Sequence, residues 1–297
     1  MTGEEIIRIA RARLADAVEP FLWDPFVMVN CLNEAIKDFC RETLVLSDST
    51  TPEICKIYLV SGQNIYALDP RVLMVKSARL SEASWPLGIV YADELDMYYP
   101  GWRTHTGAPT KYVPEFETQK ILLYPYYDDD ANVSGSGNIS FVALSKSIQK
   151  PSGLDVFTAG DTIQISGTTD NNGLFTVISA SSSELVVSGP VVDEENTSAE
   201  IRKVLETLWI SVYRLPLEPF TLENLDNQIE IPEIYHEKLV PGIMKYAYLN
   251  DDERTLDIQK SSMYEAKFLS NIAMAKIDNV KRTGRWRSTV GVRTGCV

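Results

Sequence analysis

Histidine is almost missing from this chain: His105 and His236 are the only two in 297 residues. A zinc-protease helix needs two histidines four apart, so that both imidazoles share one face and an intervening Glu activates a metal-bound water. The stretch "IPEIYHEKLVPGIMKYAYLNDDERTLD" starts that pattern with His236 and Glu237, but position 240 is Val240. It therefore reads as an amphipathic helix, and no metal ligands are assigned. Cysteine is scarce as well. Cys31, Cys40, Cys55 and Cys296 form no CxxC pair, which argues against a zinc ribbon or a disulfide framework and points to a reducing compartment. No apolar run approaches the roughly 18 residues of a membrane span. "MTGEEIIRIARARLAD" alternates charge with aliphatics where a signal peptide would carry an apolar block, so neither export by that route nor membrane insertion is expected. Phosphate loops of the form GxxxxGK[ST], GxSxG elbows and GxGxxG turns are all lacking. Nothing assembles a nucleophile, and the expectation is a protein that is not an enzyme and needs no cofactor.

What the chain has is acid. Its formal charge is -13, which argues against a protein gripping nucleic acid over a broad surface, since phosphate neutralisation needs clustered Lys and Arg. Residues 128–205 alone hold 11 acidic and 4 basic residues. The base collects at the other end: from Lys276 onward, Lys276, Lys281, Arg282, Arg285, Arg287 and Arg293 face only Asp278. Such a basic stretch on an acidic body is read as a docking segment.

The periodicities predict an α+β protein. Thr2 and Glu5 have capping-box spacing ahead of Ile6, Ile9, Ala10 and Leu14. Asp24 and Pro25 start a second helix whose buried stripe is Val29, Leu32, Ile36, Phe39 and Thr43, with Cys40 beside it. "ICKIYLV", "VLMVKSARL", "TKYVPEF" and "KILLYPYY" read as strands, and "ADELDMYY" as a short helix. Residues 128–205, rich in Ser, Thr, Gly and Asp, carry "ISFVAL", "DTIQIS", "LFTVIS" and "ELVVSG", short strands expected to form a small sandwich or barrel. This all-β module is expected as an insertion between "KILLYPYY" and "TLWISVYRLP", two strands that would pair. Within it, Asp128 to Asp130 read as a solvated acidic linker rather than a calcium loop, and "TTDNNG" as a tight Asn-Gly hairpin turn. Pro232 then marks a first helical position for the stripe Tyr235, Leu239, Ile243, Tyr246 and Leu249, which Pro241-Gly242 should kink. Asn250 and Glu253 suggest a capping box for a last helix with the row Tyr264, Phe268, Ile272 and Ala275. The expected division is a discontinuous core of helices and a small antiparallel sheet (1–127 and 206–280), the inserted module (128–205) and an extended C-terminal arm (281–297). Tyr98, Tyr99, Trp102, Tyr126 and Tyr127 are candidate anchors of a protein interface.

In this order, "FVMVNCLNEAIKDFCRET", "YALDPRVLMVKSARLS", "GAPTKYV", "KILLYP", "ISVYRLP", "EIPEIYHEKLV" and "AYLNDDERTLD" resemble the head-to-tail connectors, or adaptors, of tailed bacteriophages. The resemblance covers residues 1 to about 127 and about 206 to 297 and leaves the acidic stretch unmatched. It implies a helical bundle that builds a homo-oligomeric, usually dodecameric ring in the neck of the virion, below the portal protein. Such a ring extends the channel through which the genome passes, without specific DNA binding, and receives a further neck or tail protein. The arm, here Lys281, Arg282, Arg285, Trp286, Arg287 and Arg293, would dock onto the portal. A second expectation is a host-surface or glycan-binding virion protein that uses the β module.

Overall fold

The computed structural model describes residues 1–134, 138–250 and 254–282. Along the chain run helices α1 (Gly3–Arg13) and α2 (Pro25–Thr43), strand β1 (Ser47–Asp48), the single turn α3 (Pro52–Cys55), then β2 (Lys56–Val60), β3 (Ile65–Ala67), β4 (Val72–Leu80) and β5 (Gly88–Ile89). After α4 (Ala92–Tyr98) come β6 (Lys111–Glu117), β7 (Lys120–Tyr124), β8 (Asn132–Ser134), β9 (Ile139–Val142), β10 (Ser147–Gln149), β11 (Thr162–Ser166), β12 (Gly173–Ala180), β13 (Glu184–Val187), β14 (Glu194–Thr197) and β15 (Glu200–Arg214). Helices α5 (His236–Leu249) and α6 (Ile258–Arg282) complete the order. Contacts gather into two compact units: Met1–Asp48 with Arg71–Met74 and the chain from Val212 on, and Ser49–Pro70 with Val75–Ser211.

The first unit is built by helices. Thr2 Oγ1 accepts from the Glu5 amide at 3.2 Å while Glu5 Oε2 accepts from the Thr2 amide at 3.0 Å, so the predicted capping box closes. Asp24 accepts from the Phe26 amide at 2.8 Å, ahead of Pro25 at the first helical position. The stripe Val29, Leu32, Ile36, Phe39 and Thr43 is buried throughout, as is Cys40. It meets α5 and α6 through Leu239, Ile243, Phe268, Ile272 and Ala275 in one apolar core, with Ile6 and Ala10 of α1. Burying side chains of this size contributes about 1.5–3 kcal/mol each. Burial also pushes the thiols of Cys31 and Cys40 up to about 12, so both stay protonated core side chains.

The sequence reading needs two corrections here. A 3-10 turn, Glu233–Tyr235, follows Pro232, and the α-helix begins at His236. α5 runs from there through Pro241 to Leu249. The last helix is capped by Asp257, which accepts from the Lys260 amide at 2.9 Å, whereas Asn250 ends α5 and Glu253 lies outside the described residues. A carboxylate directly before the first turn satisfies a freed amide better than an amide side chain several residues upstream.

The small sheet expected from the sequence is also too modest. The chain forms an 11-stranded sheet, antiparallel throughout its described pairs, and a four-stranded sheet in the order β3-β7-β6-β5. β15 is the hub: it pairs with β1, β2, β8 and β11 along its 15 residues. β7 pairs with β3 and β6, so "KILLYPYY" and "TLWISVYRLP" do not pair. The reason lies in register: Lys120–Tyr124 is matched locally by the hairpin to β6, which forms at less loop-closure cost than a pairing across some 80 residues. In the second unit, Val133, Ile139, Phe141, Ile148, Phe157, Ile163, Leu185 and Ile201 belong to one core, while Val90, Leu95, Trp102, Val113, Leu122 and Tyr124 belong to another. "TTDNNG" is not a tight turn. The β11–β12 hairpin closes through residues 167–172, with buried Asn171 donating to Glu194 at 2.8 Å and to the Val192 carbonyl at 3.0 Å.

Gly242 sets how closely the helices approach. A Cβ there would sit 2.9 Å from the Phe268 ring and 3.0 Å from the Ala35 Cβ. Helix propensity favours Ala over Gly by about 1 kcal/mol, but overpacking a core costs about 1–3 kcal/mol. Neither neighbour is a flexible tip, so overpacking should win. Gly242→Ala is expected to lower the denaturation midpoint, and Phe268→Leu in the same chain to reduce that penalty. A double-mutant cycle in urea checks the coupling, and additive effects would show that the contact does not limit packing.

Candidate assembly surface

His236 sits at the start of α5, 3% exposed, with Nε2 2.6 Å from the Ile231 carbonyl. Nε2 is thus the protonated nitrogen, and Nδ1 is buried with no hydrogen-bond partner. Burial holds the imidazole below its usual pKa. Among the described residues no group of His, Cys, Asp or Glu could hold a metal ion. His105 is engaged elsewhere, its Nδ1 3.0 Å from the Tyr124 hydroxyl. The carboxylates of Asp128 and Asp129 close local turns, accepting from the amides of Asp130 and Ala131 at 3.1 Å each.

The aromatic candidates divide. Trp102 is 3% exposed, stacks edge-on against Phe116 at 6.1 Å and donates its indole N–H to Asp96 at 2.8 Å. That hydrogen bond, followed by the one from Arg103, holds the Asp96 carboxyl below the usual range. Trp102 is therefore a core residue rather than an interface anchor, because its ring is already spent inside the fold. The Tyr99 ring meets that of Tyr124 at 5.5 Å in a tilted contact, and its hydroxyl accepts from Lys111 at 2.6 Å. Tyr126 and Tyr127 are half-buried. Tyr98 is exposed, as are Met97, Tyr91 and Trp85, which sequence reasoning passed over.

An unpartnered apolar surface lies on α6 among the described residues. Its inner row, Phe268, Ile272 and Ala275, is buried, and Asn279 Nδ2 donates to the carbonyls of Thr43 and Leu44 at 3.0 and 3.1 Å. On the opposite side Met263, Ala266, Ser270, Ala273, Ile277 and Val280 are all exposed, as are Leu269 and Met274 beside them. Their spacing alternates three and four residues, the a/d pattern of a helix that packs on another helix. Ala and Ser in the row permit close approach, and Met, Ile and Val supply the apolar contact. Among the described residues, nothing covers this row.

The family model of the SU10 adaptor protein matches residues 1–293. The chain belongs to that family. Among curated proteins, none matches the chain. The SU10 adaptor match agrees with the resemblance to phage head-to-tail adaptors and places the chain among structural adaptors of bacteriophages. It also corrects the extent of that resemblance, for it runs through residues 128–205, which the sequence motifs left unmatched. No helix among the described residues is long and apolar enough to cross a membrane. Lys281 and Arg282, which were expected in the extended arm, form the last turn of α6, where cations suit the negative end of the helix dipole. Arg285, Trp286, Arg287 and Arg293 lie outside the described residues. The outer row of α6 is readable in the sequence from its three-four spacing, a signal that the more aromatic inner row obscures.

The depressed pKa of His236 has a definite sign in stability. The folded state resists protonation, so stability is full above the ordinary value of 6.5 and falls as pH drops from there towards the folded pKa. His236→Gln keeps a donor for the Ile231 carbonyl but cannot titrate. The stability advantage of the native chain over the variant should therefore shrink below pH 6.5 in urea titrations, and a constant difference would show that His236 carries no such linkage.

Proposed function

We propose that the protein is a head-to-tail connector: copies assemble into a ring, dodecameric as in the connectors it resembles, that seats below the portal in the virion neck, extends the DNA channel and receives the next neck or tail protein. The observation that carries this is the outer row of α6. A long helix anchored by one face and offering an uncovered apolar seam on the other has the form of a subunit that packs helix against helix with a neighbour. The helices of the first unit would then act as the ring-building bundle and the exposed aromatics around Tyr98 as a further protein contact. The acidic balance of the chain supports a DNA channel that does not hold its cargo, since it repels phosphate. Residues 283–297, with Trp286 among arginines, are the segment we assign to portal docking. The glycan-binding reading has less support. Of the three aromatics in residues 128–205, Phe141 and Phe157 are buried and Phe175 packs on the same core, so no stacking platform faces outward.

Charge placed on the seam tests the ring directly. Met274→Asp with Ile277→Asp lies on exposed positions, so the fold should lose no more than about 1 kcal/mol, while particles seen by mass photometry should fall from rings to single chains. Rings that persist at unchanged concentration dependence would remove α6 from the interface. Deleting residues 283–297 should leave the denaturation midpoint unchanged and abolish attachment to portal-bearing heads, measured by co-sedimentation. Attachment at normal affinity would take the docking role away from this segment.

A further inference from the structure

The connection between α1 and α2 runs from Leu14, which ends the first helix, to Asp24, which caps the second, and is longer than the roughly two to eight residues that usually join packed helices. A connection of this length is costly to order unless something fixes it. Buried Arg11 does so: it pairs with buried Asp16, donates to the Trp23 carbonyl at 2.9 Å and lies 4.0 Å over the Phe21 ring. Asp16 in turn accepts from the Leu22 amide at 2.5 Å, and the Trp23 indole donates to the Ala247 carbonyl at 2.9 Å. The connection is therefore a braced projection. Its outer side chains are apolar, with Val18 80% exposed, Leu22 46% and Phe26, in the first turn of α2, 60%. Taking two charges out of water is unfavourable in itself, and what the Arg11–Asp16 pair secures is the placement of these three side chains.

The charge on this projection has one sign. Residues 14–36 hold Asp16, Glu19, Asp24 and Glu34 and no Lys or Arg. Asp16 is answered by Arg11, and Glu34 by Lys37 at 2.8 Å. Glu19 and Asp24 are exposed, and among the described residues neither meets a cation. The outward face of α6 is the reverse. Met263, Lys267, Ser270, Met274, Ile277 and Lys281 are exposed there and recur at alternate steps of four and three. Both charges in that row are positive, and the acids of the helix are engaged off it, Glu265 with Lys245 at 3.0 Å and Asp278 with Lys238 at 3.9 Å.

Packing this row against its own copy would set lysine beside methionine and isoleucine with no acid to answer it, so charge disfavours a self-pairing of α6. A complement must bring carboxylates together with apolar side chains. The aromatic patch of Tyr91, Met97 and Tyr98 is acidic as well, but cations already stand on it, Arg103 on Asp96 at 2.9 Å and Lys111 on the Tyr99 hydroxyl at 2.6 Å. Resting on the connector reading, we propose that the α1–α2 connection of one copy seats on the outward face of α6 of the next, with Val18, Leu22 and Phe26 against Met274 and Ile277, and Glu19 and Asp24 toward Lys267 and Lys281. The contact joins two different surfaces of the same unit. It is therefore heterologous, and it repeats from copy to copy until the rotation closes a ring.

The test uses the full chain, unlabelled and nitrogen-15-labelled protein mixed in equal amounts, with the photocrosslinker p-benzoylphenylalanine in place of Phe26 and the products mapped by mass spectrometry. Rings are counted by mass photometry before irradiation. The expected product joins chains of unlike isotope, from position 26 to residues 263–281, and the same probe in place of Met274 should link to residues 17–26 of another chain. Both positions are exposed, so the denaturation midpoint should hold. Glu19→Lys should lower the yield of both links severalfold, as should Lys267→Glu with Lys281→Glu, and a chain carrying all three changes should recover most of it. Asp24 is left in place because it caps α2. Links within one chain, links to residues 85–99, or links unmoved by the charge changes would each overturn the contact. Rings whose probes join other surfaces would overturn it and leave the connector reading standing, whereas the expected links without rings would do the reverse, and the absence of both would end the two together.

Discussion

The packing of the helical unit depends on the absence of one side chain. At Gly242 the backbone of α5 lies so near the Phe268 ring and Ala35 that no Cβ fits without displacing them. The contact falls in the middle of α5, where Leu239 and Ile243 flank it and Phe39 meets Tyr235 and Phe268 at centroid distances of 5.7 and 6.3 Å. Pro241 directly before it forfeits a helical hydrogen bond, a cost of about 3 kcal/mol in an isolated helix. The helix continues nonetheless, because α2 and α6 pack on both sides of it and leave the chain no other course. The close approach also fixes α6 rotationally. With Phe268, Ile272 and Ala275 locked inward, Met263, Ala266, Ser270, Ala273 and Ile277 have no choice but to face out.

That outward seam joins packing to assembly. An exposed apolar row on a helix is unfavourable for a protein that works alone, and a row of 3-4 spacing over more than 15 residues is specific to helix–helix contact. On the proposed connector reading, such a surface packs against a neighbouring copy. Electrostatics complements it. The chain's net charge of -13 repels a polyanion, although six of its 28 Lys and Arg residues fall from Lys276 onward with Asp278 as the one acid among them.

Much of the helical unit was legible because its signals are local. Thr2-Glu5 and Asp24-Pro25 are caps whose geometry is set by residues within one turn, and the α2 stripe follows from a period of 3.6. The sheet was less legible. β15 is bonded to partners as far apart in sequence as Ser47 and Ser166, and no local pattern in "IRKVLETLWISVYR" names them. Trp102 misled for a similar reason: an aromatic-rich stretch reads alike whether its rings face solvent or, as here, fold back on Phe116 and Asp96. "TTDNNG" failed on a distant residue too, since Glu194 and the Val192 carbonyl hold Asn171 and so lengthen the turn. His236 was read as a helix residue because a metal helix demands a second imidazole, a demand that can be checked by counting, and the structure places it, buried, at the start of α5.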